Sequence, residues 1–176
     1  MADAPIDDPG SIAFLEDDGF EGFRTVARLH ADGCQEIPND RGIYAVARES
    51  LDPPTFLPRS AAARFRDTDP TLPIPELEGF WVPGAQVLYF GRARGPGVRS
   101  LLRQRVKRYL RFGHGRHVAH WGGRAIWQLG DRSALLVAWK PTPDDDPARA
   151  EARYQSQFEH HYGALPFANL KQESED

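Results

Sequence analysis

Two tyrosines stand in glycine-containing triplets ahead of an arginine-rich segment. The triplets are Gly42-Ile43-Tyr44 and Tyr89-Phe90-Gly91, and each belongs to a short apolar run. Hydrolysis of a phosphodiester needs a base or an orienting group for the attacking water, cations against the charge that grows on phosphorus, and usually a metal ion held by a carboxylate. A tyrosine, whose ordinary pKa is about 10, serves as the base only where cations stabilise its phenolate. These residue types allow phosphoryl chemistry, although a strand tyrosine is more often a core residue with a satisfied hydroxyl.

The cations of the chain are concentrated in one block. Residues 79–130 contain ten Arg or Lys and no Asp or Glu, in a chain of formal net charge −3. The rest of the chain contains the other 12 of its 22 basic residues and all 25 of its acidic residues. A segregated positive patch attracts phosphates whatever the distant charges are, whereas a merely solvated helix usually interleaves both signs. The block predicts a nucleic-acid surface formed by Arg92, Arg94, Arg99, Arg103, Lys107, Arg108, Arg111 and Arg116.

Length and composition indicate a single globular domain. The chain has 176 residues and a hydrophobic content of 40%, enough to bury a core. Its one cysteine, Cys34, cannot form an intrachain disulfide and is expected to be a small buried residue. No apolar run approaches the roughly 20 residues that span a bilayer, and the acidic start differs from a signal peptide. We expect a cytoplasmic protein with no membrane contact, a flexible acidic N-terminus at 1–19, a domain at 20–170 and a tail at 171–176.

The elements that must position these side chains follow from periodicity and turn residues. Strands are predicted at 42–47, 87–90, 125–129 and 134–139, the last two joined by a hairpin turn. Helices are predicted at 20–29, 98–110 and 148–162, the last with an acidic first turn that suits its dipole. The proline-rich stretch at about 48–85 is expected to be an extended insertion with one helical turn at 60–65. The mixture predicts an α+β fold with a small, mainly antiparallel sheet.

Five short pieces of the sequence occur in one order: Gly42-Ile43-Tyr44, Tyr89-Phe90-Gly91-Arg92-Ala93, Arg105-Val106-Lys107-Arg108-Tyr109-Leu110, Glu151 and Pro166-Phe167-Ala168-Asn169. In these pieces and their order the chain resembles the GIY-YIG endonuclease family. The resemblance covers residues 41–170 and implies a three-stranded antiparallel sheet flanked by helices, with cleavage of DNA by one divalent metal ion, Mg²⁺ or Mn²⁺. Phe90 replaces the usual aliphatic residue of the second triplet, and about forty residues replace the usual short hairpin between the triplets.

The resemblance also implies roles for the two tyrosines and the cations that follow them. Tyr44 would be the general base or the phenol that orients the attacking water. Tyr89 would line the site near the scissile phosphate, and Arg92 would contact a phosphate or tune a tyrosine. Arg105 would stabilise the pentavalent transition state, and Tyr109, one helical turn later, would support it.

Two residues near the C-terminus complete the implied site. Glu151 would bind the metal ion, and Asn169 would hold the backbone of the site together. From the residues alone, Glu151 could instead be placed by the helix dipole, Glu159 could be the ligand, and Asn169 could be a turn residue. His114, His117 and His120 recur every three residues, for which phosphate contact or packing is a better explanation than zinc.

Two alternatives to an endonuclease stay open at this point. One is a catalytically inert nucleic-acid-binding module on the same scaffold. The other is a protein-interaction domain with an acidic partner, in which residues 50–84 form the docking surface. DNA is the expected partner, and a homodimer or an unidentified protein partner is compatible with the sequence.

Overall fold

A four-stranded antiparallel sheet lies at the centre of the computed structural model, which describes residues 7–94 and 101–170. Its spatial order is β1-β4-β2-β3, with every neighbouring pair antiparallel. The fold is therefore α+β, as predicted. The strands are β1 Glu21–Thr25, β2 Gly42–Ala47, β3 Val87–Ala93 and β4 Leu136–Pro141. The helices are α1 Ile12–Asp17, α2 Val26–Asp32, α3 Ile74–Phe80, α4 Leu102–Gly113 and α5 Pro147–Tyr162.

Both faces of the sheet are covered by helices. On β2, Tyr44 and Val46 belong to one apolar cluster with residues of α2 and α4, while Ile43 and Ala45 belong to a second cluster with residues of α1 and α5. Successive side chains of a strand point to opposite faces, so β2 is buried at all its positions. The site tyrosines therefore lie on the face that carries α4.

The prediction of three strands was wrong, because residues 21–25 form a fourth. This segment was expected to be helical from the spacing of its apolar residues, but β1 pairs with β4 and carries a bulge between Gly22 and Arg24. Gly22 has φ 96° and Phe23 has φ 51°, values that a helix does not allow. The helix α2 starts only at Val26, where the Thr25 side chain caps it by accepting a hydrogen bond from the amide of Arg28.

The prediction of a strand at 125–129 was also wrong, since Arg124–Gln128 is a 3₁₀ helix. The expected hairpin turn is replaced by a second short 3₁₀ helix, Arg132–Ala134, that leads into β4. The indole of Trp127 fills the space beside Gly113, where a Cβ would lie 2.2 Å from the ring. The Gln128 amide then binds the insertion, accepting from the Leu72 amide and donating to the carbonyls of Leu57 and Leu72.

The insertion between β2 and β3 occupies residues 48–86, close to the predicted bounds. Its two ends are joined, because the Arg48 amide donates to the Gln86 carbonyl at 2.8 Å. Arg48 Nε also contacts Asp131 at 2.6 Å. The helical turn expected at 60–65 is absent, and the helix of this segment is α3 instead. Prolines are tolerated in the first turn of a helix, which is where Pro75 stands.

The N-terminal segment was expected to be flexible up to residue 19, but residues 7–19 pack on the domain. Leu15 is fully buried, and the Ser11 side chain caps α1. The amides of Gln86 and Val87 donate to the Gly10 carbonyl. Residues 1–6, 95–100 and 171–176 lie outside the described residues, and with them Arg99 and the predicted tail. No helix among the residues described is both long and apolar enough to cross a membrane.

Candidate active site

An open cleft of about 1110 Å³ lies over the end of β3, beside α4 and the first turns of α5. The insertion, the loop before the first 3₁₀ helix and the C-terminal segment close its sides. Six of the residues selected from the sequence line it: Tyr89, Arg92, Arg94, Arg105, Glu151 and, at the C-terminal side, Asn169. The cleft therefore brings together side chains from four separate stretches of sequence.

Three tyrosine rings form the floor behind this cleft. The ring centroid of Tyr44 lies 6.0 Å from that of Tyr89 and 6.0 Å from that of Tyr109, and the last two are 5.6 Å apart. Tyr44 pairs across the sheet with Gly91, where a Cβ would lie 2.4 Å from the Tyr44 ring. The glycine of the second triplet is thus the residue that lets the tyrosine of the first triplet lie flat across β3.

The depth of the phenols decides their ionisation. Tyr44 and Tyr109 are fully buried, while Tyr89 lines the cleft. Burial raises the pKa of Tyr44, and the nearby Arg105 guanidinium offsets this rise only in part. Burial, followed by the neighbouring phenols, raises the pKa of Tyr89 well above its ordinary value. Both phenols are protonated at neutral pH and can donate hydrogen bonds, which suits an orienting group better than a general base.

Two consecutive glycines, Gly122 and Gly123, lie against the hydroxyl groups of Tyr89 and Tyr109. The Tyr109 hydroxyl donates to the Gly123 carbonyl at 2.8 Å. Gly123 has φ 71°, and a Cβ there would lie 2.6 Å from the Tyr109 hydroxyl. A Cβ on Gly122 would lie 3.0 Å from the Tyr89 hydroxyl. Gly122 and Gly123 were not among the site residues selected from the sequence, although two consecutive glycines signal a close approach of the backbone.

Arg105 projects from α4 into the cleft, half-buried. Its Nε is buried and has no hydrogen-bond partner within residues 7–94 and 101–170. Its charge lowers the pKa of Tyr44 and of His120, which places the guanidinium beside both rings. A buried, positively charged donor of this kind is the type of group that stabilises a developing oxyanion.

Glu151 is the acidic residue that the fold brings to the cleft. It lies in the first part of α5, is 7% exposed, and forms an ion pair with Arg92 of β3. Glu159, the competing candidate, is exposed on the same helix and does not line the cleft. The geometry therefore places Glu151, rather than Glu159, beside Tyr89 and Arg105.

A divalent ion in this cleft would find few protein ligands. The described residues contain no group of three or more His, Cys, Asp or Glu side chains that could hold a metal ion. Mg²⁺, however, often takes only one or two carboxylates and completes its shell with waters and substrate phosphates. The single carboxylate of Glu151 in an open cleft fits that mode.

Asn169 fastens the C-terminal segment to the edge strand β3. Its side chain accepts from the Phe90 amide at 2.9 Å and donates to the Phe90 carbonyl at 2.9 Å. The Ala168 amide adds a bond to the Leu88 carbonyl at 2.8 Å. Asn169 thus satisfies both backbone groups of the residue beside Tyr89, in keeping with a positioning role.

The predicted basic surface is divided by the fold. Arg92, Arg94, Arg105 and also Arg124 line the cleft. Arg103 is turned toward the loop after α2, where it donates to the carbonyls of Ile37 at 2.7 Å and Gln35 at 3.1 Å. Three other members of the predicted surface lie along a separate groove: Lys107, Arg111 and Arg116. Arg108 lies near His120.

The three regularly spaced histidines do not converge. His120 is buried against Tyr109, and its Nε2 lies 2.9 Å from the Gly122 carbonyl. Burial lowers the pKa of His120 to about 3, so the ring is neutral. His114 instead stacks on His30 with ring centroids 3.5 Å apart, and His117 is exposed. Packing, rather than zinc ligation, accounts for the buried member.

Comparisons of the chain with protein-family models, with curated proteins and with solved structures gave no match. The resemblance to the GIY-YIG family accordingly depends on the order of the five short motifs in the sequence.

Proposed function

We propose that this chain is a metal-dependent endonuclease of the GIY-YIG type that hydrolyses phosphodiester bonds in DNA. The observation that carries the proposal is the convergence of Tyr89, Arg105 and Glu151 on one cleft from β3, α4 and α5. Each of the three supplies one requirement of phosphodiester hydrolysis: a hydroxyl for the water, a cation for the transition state and a carboxylate.

The roles follow from burial and charge. Tyr89 donates a hydrogen bond that orients the attacking water, because its raised pKa keeps the phenol protonated. Tyr44 and Tyr109 lie behind it and fix its ring. Arg105 offsets the negative charge that the attack adds to the phosphoryl group.

Glu151 would hold the Mg²⁺ or Mn²⁺ ion, which would supply Lewis acidity at a phosphoryl oxygen. Arg92, now paired with Glu151, is the group that must share or release this carboxylate. Released from the pair, the Arg92 guanidinium becomes a donor for a phosphate of the substrate.

One observation favours a second candidate, a module that binds nucleic acid without cutting it. The ion pair with Arg92 already neutralises the Glu151 carboxylate, which lowers its attraction for a cation. The five arginines that line the cleft would serve a binder as well as an enzyme. Metal-dependent cleavage distinguishes the two candidates.

The test is incubation of purified protein with supercoiled plasmid and with duplex, branched and single-stranded oligonucleotides, in Mg²⁺, in Mn²⁺ and in chelator. We expect cleavage only with metal. Arg105→Ala should lower the rate by about 10²- to 10³-fold, the usual effect of losing one charge stabiliser. Glu151→Gln should abolish cleavage while DNA is still bound in chelator.

Two matched variants control for nonspecific loss of charge. Arg149→Ala removes an exposed cation of α5 that does not line the cleft, and Glu159→Gln removes an exposed carboxylate of the same helix. Both should cleave at the wild-type rate. Cleavage by Glu151→Gln at the wild-type rate would reject the metal assignment, and salt-sensitive binding without cleavage in any metal would leave the binding module as the function.

A further inference from the structure

Four side chains that line the cleft form a row in which two aromatic rings lie between two guanidinium groups. In order along this row they are Arg66, Phe65, Trp121 and Arg124. The Arg66 guanidinium carbon lies 5.1 Å from the Phe65 centroid, the two rings are 6.0 Å apart, and the Arg124 guanidinium carbon lies 4.5 Å from the Trp121 centroid. We call this set the aromatic platform.

The aromatic platform differs from the core aromatic residues in its exposure. Phe65 and Trp121 are half-buried and Arg66 is exposed, whereas Trp127, a few residues further along, is fully buried. The planes of the two platform rings are tilted by 34° with respect to each other. Ring surface therefore remains available to a planar group that enters the cleft.

The backbone that presents Phe65 is fixed in advance. Phe65 and Thr68 exchange two backbone hydrogen bonds, of 3.0 and 2.8 Å. The two residues between them, Arg66 and Asp67, have φ 47° and 63°, a left-handed conformation that non-glycine residues adopt rarely. Strained turns of this kind concentrate at functional sites, and this one aims a ring and a cation at the cleft.

On the other side, Trp121 directly precedes the glycine pair that covers Tyr89 and Tyr109. A group stacked on the platform would consequently lie in the same cleft as Tyr89 and Arg105. Aromatic rings flanked by cations are the usual surface for unpaired nucleic-acid bases, since every base has a stacking face and its phosphate is anionic.

We propose that the aromatic platform binds a nucleobase that is unpaired and out of the duplex, next to the phosphate held in the cleft. The inference rests on the proposed function and makes its substrate more specific: DNA that carries an unpaired nucleotide at or beside the cut. Duplex that is fully paired lacks a base that can reach the rings.

The experiment measures affinity in chelator, where no cleavage occurs, by fluorescence anisotropy. Three labelled duplexes of the same sequence are compared: fully paired, with a one-nucleotide bulge, and with the same bulge made abasic. The abasic bulge keeps the extra phosphate and the flexibility but removes the stacking face. Wild-type protein should bind the base-bearing bulge about 5- to 100-fold more tightly than the abasic bulge.

The variant Phe65→Ala should lose this preference and keep the affinity for paired duplex. Phe80→Ala is the matched control, because Phe80 is an exposed phenylalanine of the same insertion that does not line the cleft. It should keep the preference. Phe65→Leu, which retains apolar volume without a π-face, should behave like Phe65→Ala and replaces it if the smaller side chain impairs folding.

The outcomes separate the inference from the proposed function. Equal affinity of the wild type for the base-bearing and abasic bulges overturns the base site alone, and so does a preference that survives both Phe65 variants. A base preference lost only in the Phe65 variants, with no cleavage when Mg²⁺ is restored, supports the base site and rejects the nuclease chemistry. Failure to bind any of the three duplexes overturns both.

Discussion

Replacing Gly91 by alanine tests the packing on which the site geometry depends. A Cβ at this position would lie 2.4 Å from Cζ of Tyr44 and 2.6 Å from its hydroxyl. Ordinary contact begins at 3.4 Å, so the Tyr44 ring must move by about 1 Å. It cannot move freely, because the Tyr89 and Tyr109 rings lie against it. The substitution therefore displaces the whole tyrosine floor.

The expected cost combines two opposing effects. Overpacking of a close-packed core costs about 1 to 3 kcal/mol, while alanine in a strand recovers about 0.5 to 1 kcal/mol of the conformational entropy that glycine loses. We expect Gly91→Ala to lower the free energy of unfolding by about 1 to 2 kcal/mol. A displacement of about 1 Å at a catalytic group can reduce the rate by about 10²-fold, and we expect a loss of that size in plasmid nicking.

The assay is urea unfolding followed by tryptophan fluorescence, together with the nicking assay. Gly79→Ala is the control: Gly79 lies in α3 with nothing within 4 Å, so alanine there should raise stability by up to about 1 kcal/mol. In a Tyr44→Ala background the cost of Gly91→Ala should vanish, because the clashing ring is gone. An unchanged urea midpoint for Gly91→Ala, or a cost that persists without the Tyr44 ring, would refute the reasoning.

Two further predictions concern the edge of the site. Asn169→Asp replaces the donor to the Phe90 carbonyl by an acceptor, so the free energy of unfolding in urea should fall by about 1 to 3 kcal/mol. Asn169→Ala should lose slightly less. Equal stability of the wild type and both variants would contradict the positioning role. Burial lowers the pKa of His120 to about 3 from 6.5. Between pH 3 and pH 6.5 the residue is therefore neutral in the folded protein and takes up a proton when the protein unfolds. The stability that the neutral His120 contributes is complete above pH 6.5 and is lost as the pH falls toward 3. Unfolding midpoints of the wild type should therefore fall more steeply between these pH values than those of His120→Gln. Parallel curves for the two proteins would disprove the lowered pKa of His120.

The central part of the fold was accessible from the sequence because its signals are short-range. The buried runs of β2 and β3 and the glycine–arginine pattern around them predict these two strands and the arginine-rich helix. The sequence order of the motifs also brought Glu151 and Asn169 into consideration, and the fold places both at the cleft. What periodicity could not give is depth: it did not predict that Tyr44 lies behind Tyr89 rather than against the cleft.

The errors have physical causes in long-range packing. Residues 125–129 are buried on all sides, and a fully buried run has no period that distinguishes a strand from a 3₁₀ helix. Around Gly22, a bulge paired with β4 overrides the helical spacing of the neighbouring phenylalanines. The division of the basic block likewise depends on where α2 packs, since the loop after α2 takes up the guanidinium of Arg103.

The junction of the insertion has a consequence for engineering this protein. The Arg48 amide donates a hydrogen bond to the Gln86 carbonyl, and the Gln86 side chain donates another to the Glu49 carbonyl at 3.1 Å. The insertion therefore leaves the sheet and rejoins it at the same point. Closure entropy rises only slowly with loop length, so replacement loops of different length can be grafted between these anchors, provided that they also supply the backbone partners of Gln128 and the buried side chain of Leu77. Chimeras made at this junction would exchange the surface around Phe65 as a cassette while leaving Tyr44 and Tyr89 in register.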